Sequence, residues 1–187
     1  MHGDRQGDLA ATACFRGAVR RACDTARPLP GASGSPNSVA KRGAETMTGR
    51  KLTCLDCGQV NRVPAERLAE APKCGTCGAP LMPGKAVEID LATLRKAARN
   101  DDVPLVVDFW APWCGPCRSM APAFSAAAGT LKGRARLVKL NTEAEPAASQ
   151  AYGIRSIPTM VRFEGGRERA RQTGALPEGA ILQWIGA

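Results

Sequence analysis

Beyond Cys117 the chain has neither cysteine nor histidine, so a metal site in its last third would lack soft donors. No apolar stretch approaches the roughly 20 residues needed to cross a bilayer, which excludes a membrane-spanning helix from the reading. Aromatics are scarce: four Phe, three Trp and one Tyr. The net charge of +9 favours polyanions or acidic surfaces, but the basic residues are dispersed and few rings are available to stack on bases. A nucleic-acid role is therefore not expected. No secretory signal is readable, because arginines are scattered through the first thirty residues and the apolar run Leu9 to Phe15 is too short for a signal core. Asp4, Asp8, Asp24 and Glu45 run against an organelle transit peptide. The expectation is a soluble protein in a reducing compartment, where paired cysteines bind metal or do redox chemistry more often than they staple a fold.

Cysteine, by contrast, is plentiful. Eight are present, as three C-x-x-C pairs (Cys54/Cys57, Cys74/Cys77, Cys114/Cys117) and two single residues, Cys14 and Cys23, which have no partner pattern and read as incidental. A length of 187 residues accommodates one domain of about 100 residues plus a smaller module.

Three segments follow from composition. Residues 1–48, rich in Gly, Ala, Arg, Ser and Pro, show no periodicity and too little apolar surface to offset ordering entropy. They read as a disordered leader, or as translated upstream sequence with Met47 as the true initiator; Met47-Thr48-Gly49-Arg50-Lys51 leads straight into the first cysteine motif. Residues 50–82 hold four cysteines and few core formers (Leu52, Val60, Val63, Leu68 and Leu81), so this unit needs a metal or disulfide to hold it. Residues 85–187 alternate strand and helix signals.

In that last segment Ala86–Ile89 alternates like a strand, and Leu91–Arg99 has helical spacing behind Asp90 as N-cap. Pro104–Trp110 is a near-continuous apolar run, the mark of a strand buried on both faces. A helix is predicted over Pro116–Ala128, with Pro122 removing one backbone donor and kinking it. Then come a strand (Arg136–Asn141), a helix (Pro146–Tyr152), a hairpin (Thr159–Phe163 and Glu168–Thr173 about Gly165-Gly166) and a closing helix (Pro177–Ile185). The order β-α-β-α-β-α-β-β-α is an α/β fold with a mixed central sheet flanked by helices.

Cys114-Gly115-Pro116-Cys117 falls where the buried strand ends and a helix begins. Free amides and the helix dipole there favour a thiolate on the first cysteine. Cys114 is then the nucleophile, and Cys117, one turn further in, resolves the mixed disulfide. Gly115 leaves the approach to sulfur open, and Pro116 sets the first turn at no cost in hydrogen bonds. The bland alternative, structural thiols or half a metal site, is disfavoured because the other two pairs already make a complete metal set.

Cys54-Leu55-Asp56-Cys57-Gly58 and Cys74-Gly75-Thr76-Cys77-Gly78 are two C-x-x-C-G knuckles separated by sixteen residues, inside the zinc-ribbon range. Two reverse turns would present Cys54, Cys57, Cys74 and Cys77 to one tetrahedral zinc, each following glycine permitting positive φ. A filled four-thiolate shell leaves no place for water, so the ion would be structural; iron is the alternative metal, and a redox-responsive zinc the sharper role.

Val107-Asp108-Phe109-Trp110-Ala111-Pro112-Trp113-Cys114-Gly115-Pro116-Cys117, followed by Gly153-Ile154-Arg155-Ser156-Ile157-Pro158-Thr159, resembles the thioredoxin family over residues 85–187. With the upstream module the chain is similar to the zinc-binding bacterial branch of that family from about residue 50 onward. The resemblance implies a thioredoxin fold behind a zinc-ribbon-like module, and a protein-disulfide reductase of the bacterial cytoplasm, monomeric, recharged by an NADPH-dependent thioredoxin reductase. It implies that Pro158 is a cis-proline beside the dithiol, against an ordinary trans proline opening a strand, and that Ile157 offers its backbone to a target peptide. Asp108 becomes a buried carboxylate of raised pKa that accepts the proton of Cys117, where spacing alone allowed a strand-edge residue. Lys139 falls where the family places a lysine near that aspartate, or is only a solvated strand residue. Trp113, Ile157, Pro158, Gly174 and Ala175 would form an apolar rim for protein substrates.

Two other functions fit the same motifs. One is a zinc-ribbon redox-sensing adaptor that mainly docks partners; the other is an exported oxidase or isomerase, opposed by Gly115-Pro116 between the cysteines and by the lack of a readable signal.

Overall fold

The computed structural model describes residues 49–186. The expectations for the leader, Met47, Cys14 and Cys23 lie outside these residues.

The chain from 85 onward builds one five-stranded sheet. Strands β3 (Val87–Glu88), β4 (Leu105–Trp110), β5 (Arg136–Asn141), β6 (Thr159–Glu164) and β7 (Arg167–Thr173) lie in the order β3-β5-β4-β6-β7. The pairs β3/β5 and β4/β5 are parallel, and β4/β6 and β6/β7 antiparallel. Helices α1 (Leu91–Asn100), α2 (Gly115–Thr130), α3 (Pro146–Ala151) and α4 (Glu178–Ile185) cover its faces. The mixed sheet and element order are those the sequence implies. Bounds differ by a residue or two: α2 starts at Gly115 and runs unbroken through Pro122 to Thr130, and β3 is two residues long.

Strand alternation sorts the core. Leu105, Val107 and Phe109 of β4 join Val138 and Leu140 of β5 under α1 and α3, where Leu91, Leu94, Ala97, Ala98 and Ala148 pack. Val106, Leu137 and Met160 face the other way, onto Met120, Phe124 and Ala127 of α2 and Ile181 and Ile185 of α4. Asp108, two residues beyond Val106, therefore falls on the α2 side, and so does its register partner Lys139, two beyond Leu137. The β6–β7 hairpin turns on Gly165 (φ 58°) and Gly166 (φ 80°), the left-handed pair that a two-residue turn requires.

Residues 49–82 form a small unit around strands β1 (Arg50–Thr53) and β2 (Val60–Val63), which pair antiparallel. Leu52, Val63, Leu68, Leu81 and Met82 are buried there together with Val103, which the main domain contributes. Hydrogen bonds fasten β1 to the α1–β4 turn. Lys51 N–H donates to the Asp102 carboxylate (2.7 Å), Asp102 N–H to the Lys51 carbonyl (2.9 Å), and Thr53 N–H to the Asp101 carboxylate (2.7 Å). Asp101 also forms a buried ion pair with Arg136, the first residue of β5. A Cβ at Gly133 would lie 3.0 Å from that of Ala69, so the small unit also presses on the turn before β5. It thus caps the ends at which β4 and β5 begin.

Breaking a buried ion pair from one side leaves the other charge uncompensated in low dielectric, which costs about 3–5 kcal/mol. Arg136→Met is expected to lose that much stability in urea unfolding, with part regained in the Arg136→Met/Asp101→Asn double variant; a loss below about 1 kcal/mol would contradict a tight clamp.

Candidate active site and cysteine cluster

The dithiol stands at the far end of β4. Trp110 ends the strand, Ala111–Trp113 form a turn, and Cys114 is the N-cap residue of α2. Its Sγ accepts the Cys117 N–H at 3.2 Å, taking the place of the serine or aspartate oxygen that commonly caps a helix. Cys114 and Cys117 are joined as a disulfide, and both are buried, with Ala111 completing their apolar bed. A Cβ at Gly115 would meet nothing, so the missing side chain there leaves open the space in front of the disulfide.

Cys117, Met120, Phe124 and Ala127 make the sheet-facing stripe of α2, spaced three and four apart. Asp108 faces that stripe from β4. Its side chain is fully buried and neither carboxylate oxygen has a hydrogen-bond partner. Burial pushes its pKa from 3.8 up to about 7, with the Lys139 charge pulling the other way. Lys139 does not reach the carboxylate with a hydrogen bond. Its Nζ lies 3.8 Å from the centroid of the Trp110 ring, a cation–π contact that the sequence reading missed.

The antiparallel pairing of Phe109 with Thr159 brings the loop before β6 level with the dithiol. The Ile157–Pro158 bond is cis, and the Ile157 carbonyl lies 3.7 Å from Cys114 Sγ. Gly174, at φ 95°, donates its N–H to the Pro158 carbonyl (2.9 Å). Trp113 is 69% exposed, the one large apolar side chain so displayed among the described residues. A groove of about 390 Å³ runs between Trp113 and Ile157. Gly174 and Ala175 do not line it; Gly174 is hydrogen-bonded to Pro158 instead.

At the opposite end, the four remaining described cysteines converge, their sulfurs all within 4.8 Å of one another. Cys54 and Cys77 lie 3.5 Å apart and Cys57 and Cys74 3.7 Å, and all four are free thiols. Four sulfurs each about 2.3 Å from one zinc would lie roughly 3.8 Å apart, so the set fits the ion. The two knuckles repeat one turn: Gly58 N–H donates to the Cys54 carbonyl and Gly78 N–H to the Cys74 carbonyl, each at 2.9 Å, at φ 71° and 76°. The Cys77 and Thr76 amides lower the Cys74 thiol to about 6. At Cys77 the Ala79 amide favours the thiolate, but the crowding Cys57 and Cys54 thiols push it up to about 12. Metal ligation would need all four sulfurs as thiolates, and a cation between them would offset the repulsion of four negative charges at these distances. Asn61 braces the second knuckle, its Oδ1 accepting from Gly75 N–H (3.0 Å) and its Nδ2 donating to Cys74 Sγ (3.6 Å). The six residues of β4 put about 20 Å between this cluster's end of the sheet and the disulfide.

Comparisons with known proteins agree with this geometry. The thioredoxin family model matches residues 85–187, and the model for the N-terminal region of thioredoxin 2, a zinc ribbon, matches residues 53–79. Thioredoxin C-3 of Corynebacterium nephridii is 41% identical over 136 residues, 72% of this chain and 92% of that protein. Thioredoxin 1 of Nostoc sp. is 42% identical over 100 residues, 54% of this chain and 94% of its own. Among solved structures, chloroplastic thioredoxin z superposes with a TM-score of 0.51 at 32% identity, over 55% of this chain and 92% of that one. No described helix is long and apolar enough to cross a membrane. The chain belongs to the thioredoxin family: it is a thiol-disulfide oxidoreductase, and its N-terminal unit is the zinc ribbon of the thioredoxin 2 branch.

Proposed function

We propose that this protein is a cytoplasmic bacterial protein-disulfide reductase, acting as a monomer, in which Cys114 attacks and Cys117 resolves. The observation that carries the reading is the seat of Cys114 at the N-cap of α2, its sulfur on the Cys117 amide and beside the Ile157 carbonyl.

In the reduced protein the unpartnered first-turn amides favour a thiolate at Cys114. That thiolate attacks one sulfur of a target disulfide; the target S–S bond breaks, its second sulfur leaves and takes up a proton, and a mixed disulfide forms. Cys117 then loses its proton and attacks Cys114 Sγ, releasing the target's first sulfur as a thiol and closing the Cys114–Cys117 disulfide. Two electrons have passed to the target. Asp108, facing the Cys117 stripe with a pKa of about 7, is the acceptor suited to that proton near neutrality. Lys139 acts as a positioning residue that holds Trp110 and tempers the Asp108 charge. Pro116 opens the helix, Gly115 leaves the approach clear, and Trp113, Ile157, Pro158, Gly174 and Ala175 present an apolar rim with accessible backbone to an extended target segment. An NADPH-dependent thioredoxin reductase returns the two electrons.

Cys54, Cys57, Cys74 and Cys77 hold one zinc ion. When bound it cross-links the two knuckles and neutralises their thiolates, and with four protein ligands it has no open position for catalysis. The length of β4, about 20 Å, keeps these thiols out of direct exchange with the dithiol of the same molecule.

Wild-type protein with thioredoxin reductase and NADPH is expected to reduce insulin disulfides, and Cys114→Ser to abolish turnover while remaining folded; a folded, zinc-loaded wild type without turnover would sink the reductase and favour the adaptor. Native mass spectrometry is expected to show one zinc per chain, lost in Cys54→Ser, and a finding of iron or of no metal would refute the zinc assignment. Because folding raises the Asp108 pKa from 3.8 to about 7, the native state keeps a proton that the unfolded chain has already lost. Stability of the oxidised protein should therefore fall as pH rises from about 4 to about 7, by an amount on the order of 3 kcal/mol. Asp108→Asn removes that slope and is more stable than wild type at about pH 8 by about 2–4 kcal/mol in urea unfolding; equal slopes would show that the carboxyl is not desolvated.

A further inference from the structure

The groove beside the disulfide has one charged residue in its lining, Arg155. Trp113 forms one wall, and Ile154, Arg155, Ser156 and Ile157 contribute to the other. Arg155 is exposed and belongs to none of the ion pairs among the described residues. Of the strand arginines that follow it, Arg162 pairs with Glu164, and Arg171 with Glu168 while also donating to the Tyr152 carbonyl; Arg167 and Arg169 are in no ion pair either, but neither lines the groove. No carboxylate lines the groove to answer the Arg155 charge.

Register and face fix what that charge would meet. The Ile157 carbonyl is 3.7 Å from Cys114 Sγ, so a target cysteine bonded to Cys114 lies alongside Ile157. Arg155 is two residues from Ile157, a backbone span of at most about 7 Å. In an extended target segment two residues also advance roughly 6.6 Å, and side chains two apart point to the same face. The target residue two positions from the attacked cysteine thus points back toward the protein as the cysteine does, within reach of the long Arg155 side chain, while its immediate neighbours point away. A guanidinium fork there matches a carboxylate and rejects an ammonium.

We infer that Arg155 is a specificity-determining residue that selects protein disulfides whose attacked cysteine has an aspartate or glutamate two residues away. The inference rests on the reductase reading above and names its preferred substrate class. The selection is additional to the apolar and backbone contacts of the rim, and because Arg155 is solvent-exposed it amounts to about fivefold, the upper end of what an exposed ion pair supplies.

The test uses the pre-reduced, zinc-loaded full chain and two disulfide-linked peptides, identical except for Asp or Lys on both sides of one half-cystine, two residues away. Each rate constant is divided by that of dithiothreitol on the same peptide, which removes the intrinsic effect of the charge on the disulfide. The wild type is expected to favour the Asp peptide about fivefold at low salt, with the preference collapsing toward unity at about 0.5 M salt. Arg155→Gln is expected to show no preference, Arg155→Glu to invert it and Arg155→Lys to restore much of it, with circular dichroism checking that each variant folds. Equal rates on both peptides in the wild type, or a preference unchanged in Arg155→Glu, would overturn the inference and leave the reductase standing. No reduction of either peptide would remove the reductase reading and the inference with it.

Discussion

A helix begins with amide groups that its own carbonyls cannot satisfy, and in this chain the chemistry is built on that deficit. Sulfur fills the cap at α2: Cys114 accepts from Cys117 N–H at 3.2 Å. The strand that delivers it, β4, is the middle of the sheet and is buried along nearly its whole length, so the helix start cannot drift. The remaining parts of the site take their places from β4. Asp108 lies within the strand on the α2 face, and the pairing of Phe109 with Thr159 sets Ile157 and Pro158 against the disulfide. Among the described residues, the one buried carboxylate without a partner is on the strand that leads into the cysteine-bearing helix, on the face toward Cys117.

The other ends of the same strands carry the zinc ribbon. A unit of this size has little core of its own, and its buried residues include Val103 of the main domain. Asp101 satisfies two demands at once, accepting from Thr53 N–H and pairing with Arg136. Two buried charges are an expensive way to join surfaces, since desolvation offsets much of their attraction. The clamp defines how the ribbon sits on the α1–β4 turn. The two cysteine centres are held in one body yet separated by the length of β4.

How much of this could be read in advance depends on the range of the interaction. The elements and their order follow from local patterns, such as the apolar run of β4, Asp90 as cap and Gly165-Gly166 as turn, and the structure agrees. The position of Cys114 at the strand-to-helix junction was visible for the same reason. Asp108 was recognisable as important only through family resemblance, because nothing in the sequence says that both of its oxygens lack partners. Lys139 was placed near Asp108, but that its ammonium sits over Trp110 depends on side-chain paths no spacing encodes. Asp101 and Arg136 drew no notice: they are 35 residues apart and look like ordinary surface charges until the ribbon folds over them. Arg155 stands inside the motif that carries the family resemblance, but no role attaches to it there; only the groove distinguishes it.

The central claim is that the helix start makes Cys114, and not Cys117, the reactive thiol. Reduced, zinc-loaded protein treated briefly with limiting iodoacetamide at neutral pH and mapped by mass spectrometry tests it directly. The account predicts a single modification at Cys114, at a rate at least about tenfold above that of Cys117, since the thiolate is the reacting species and Cys117 lies behind it on the sheet-facing side of α2. Equal labelling of the two cysteines, or prior labelling of Cys117, would contradict it.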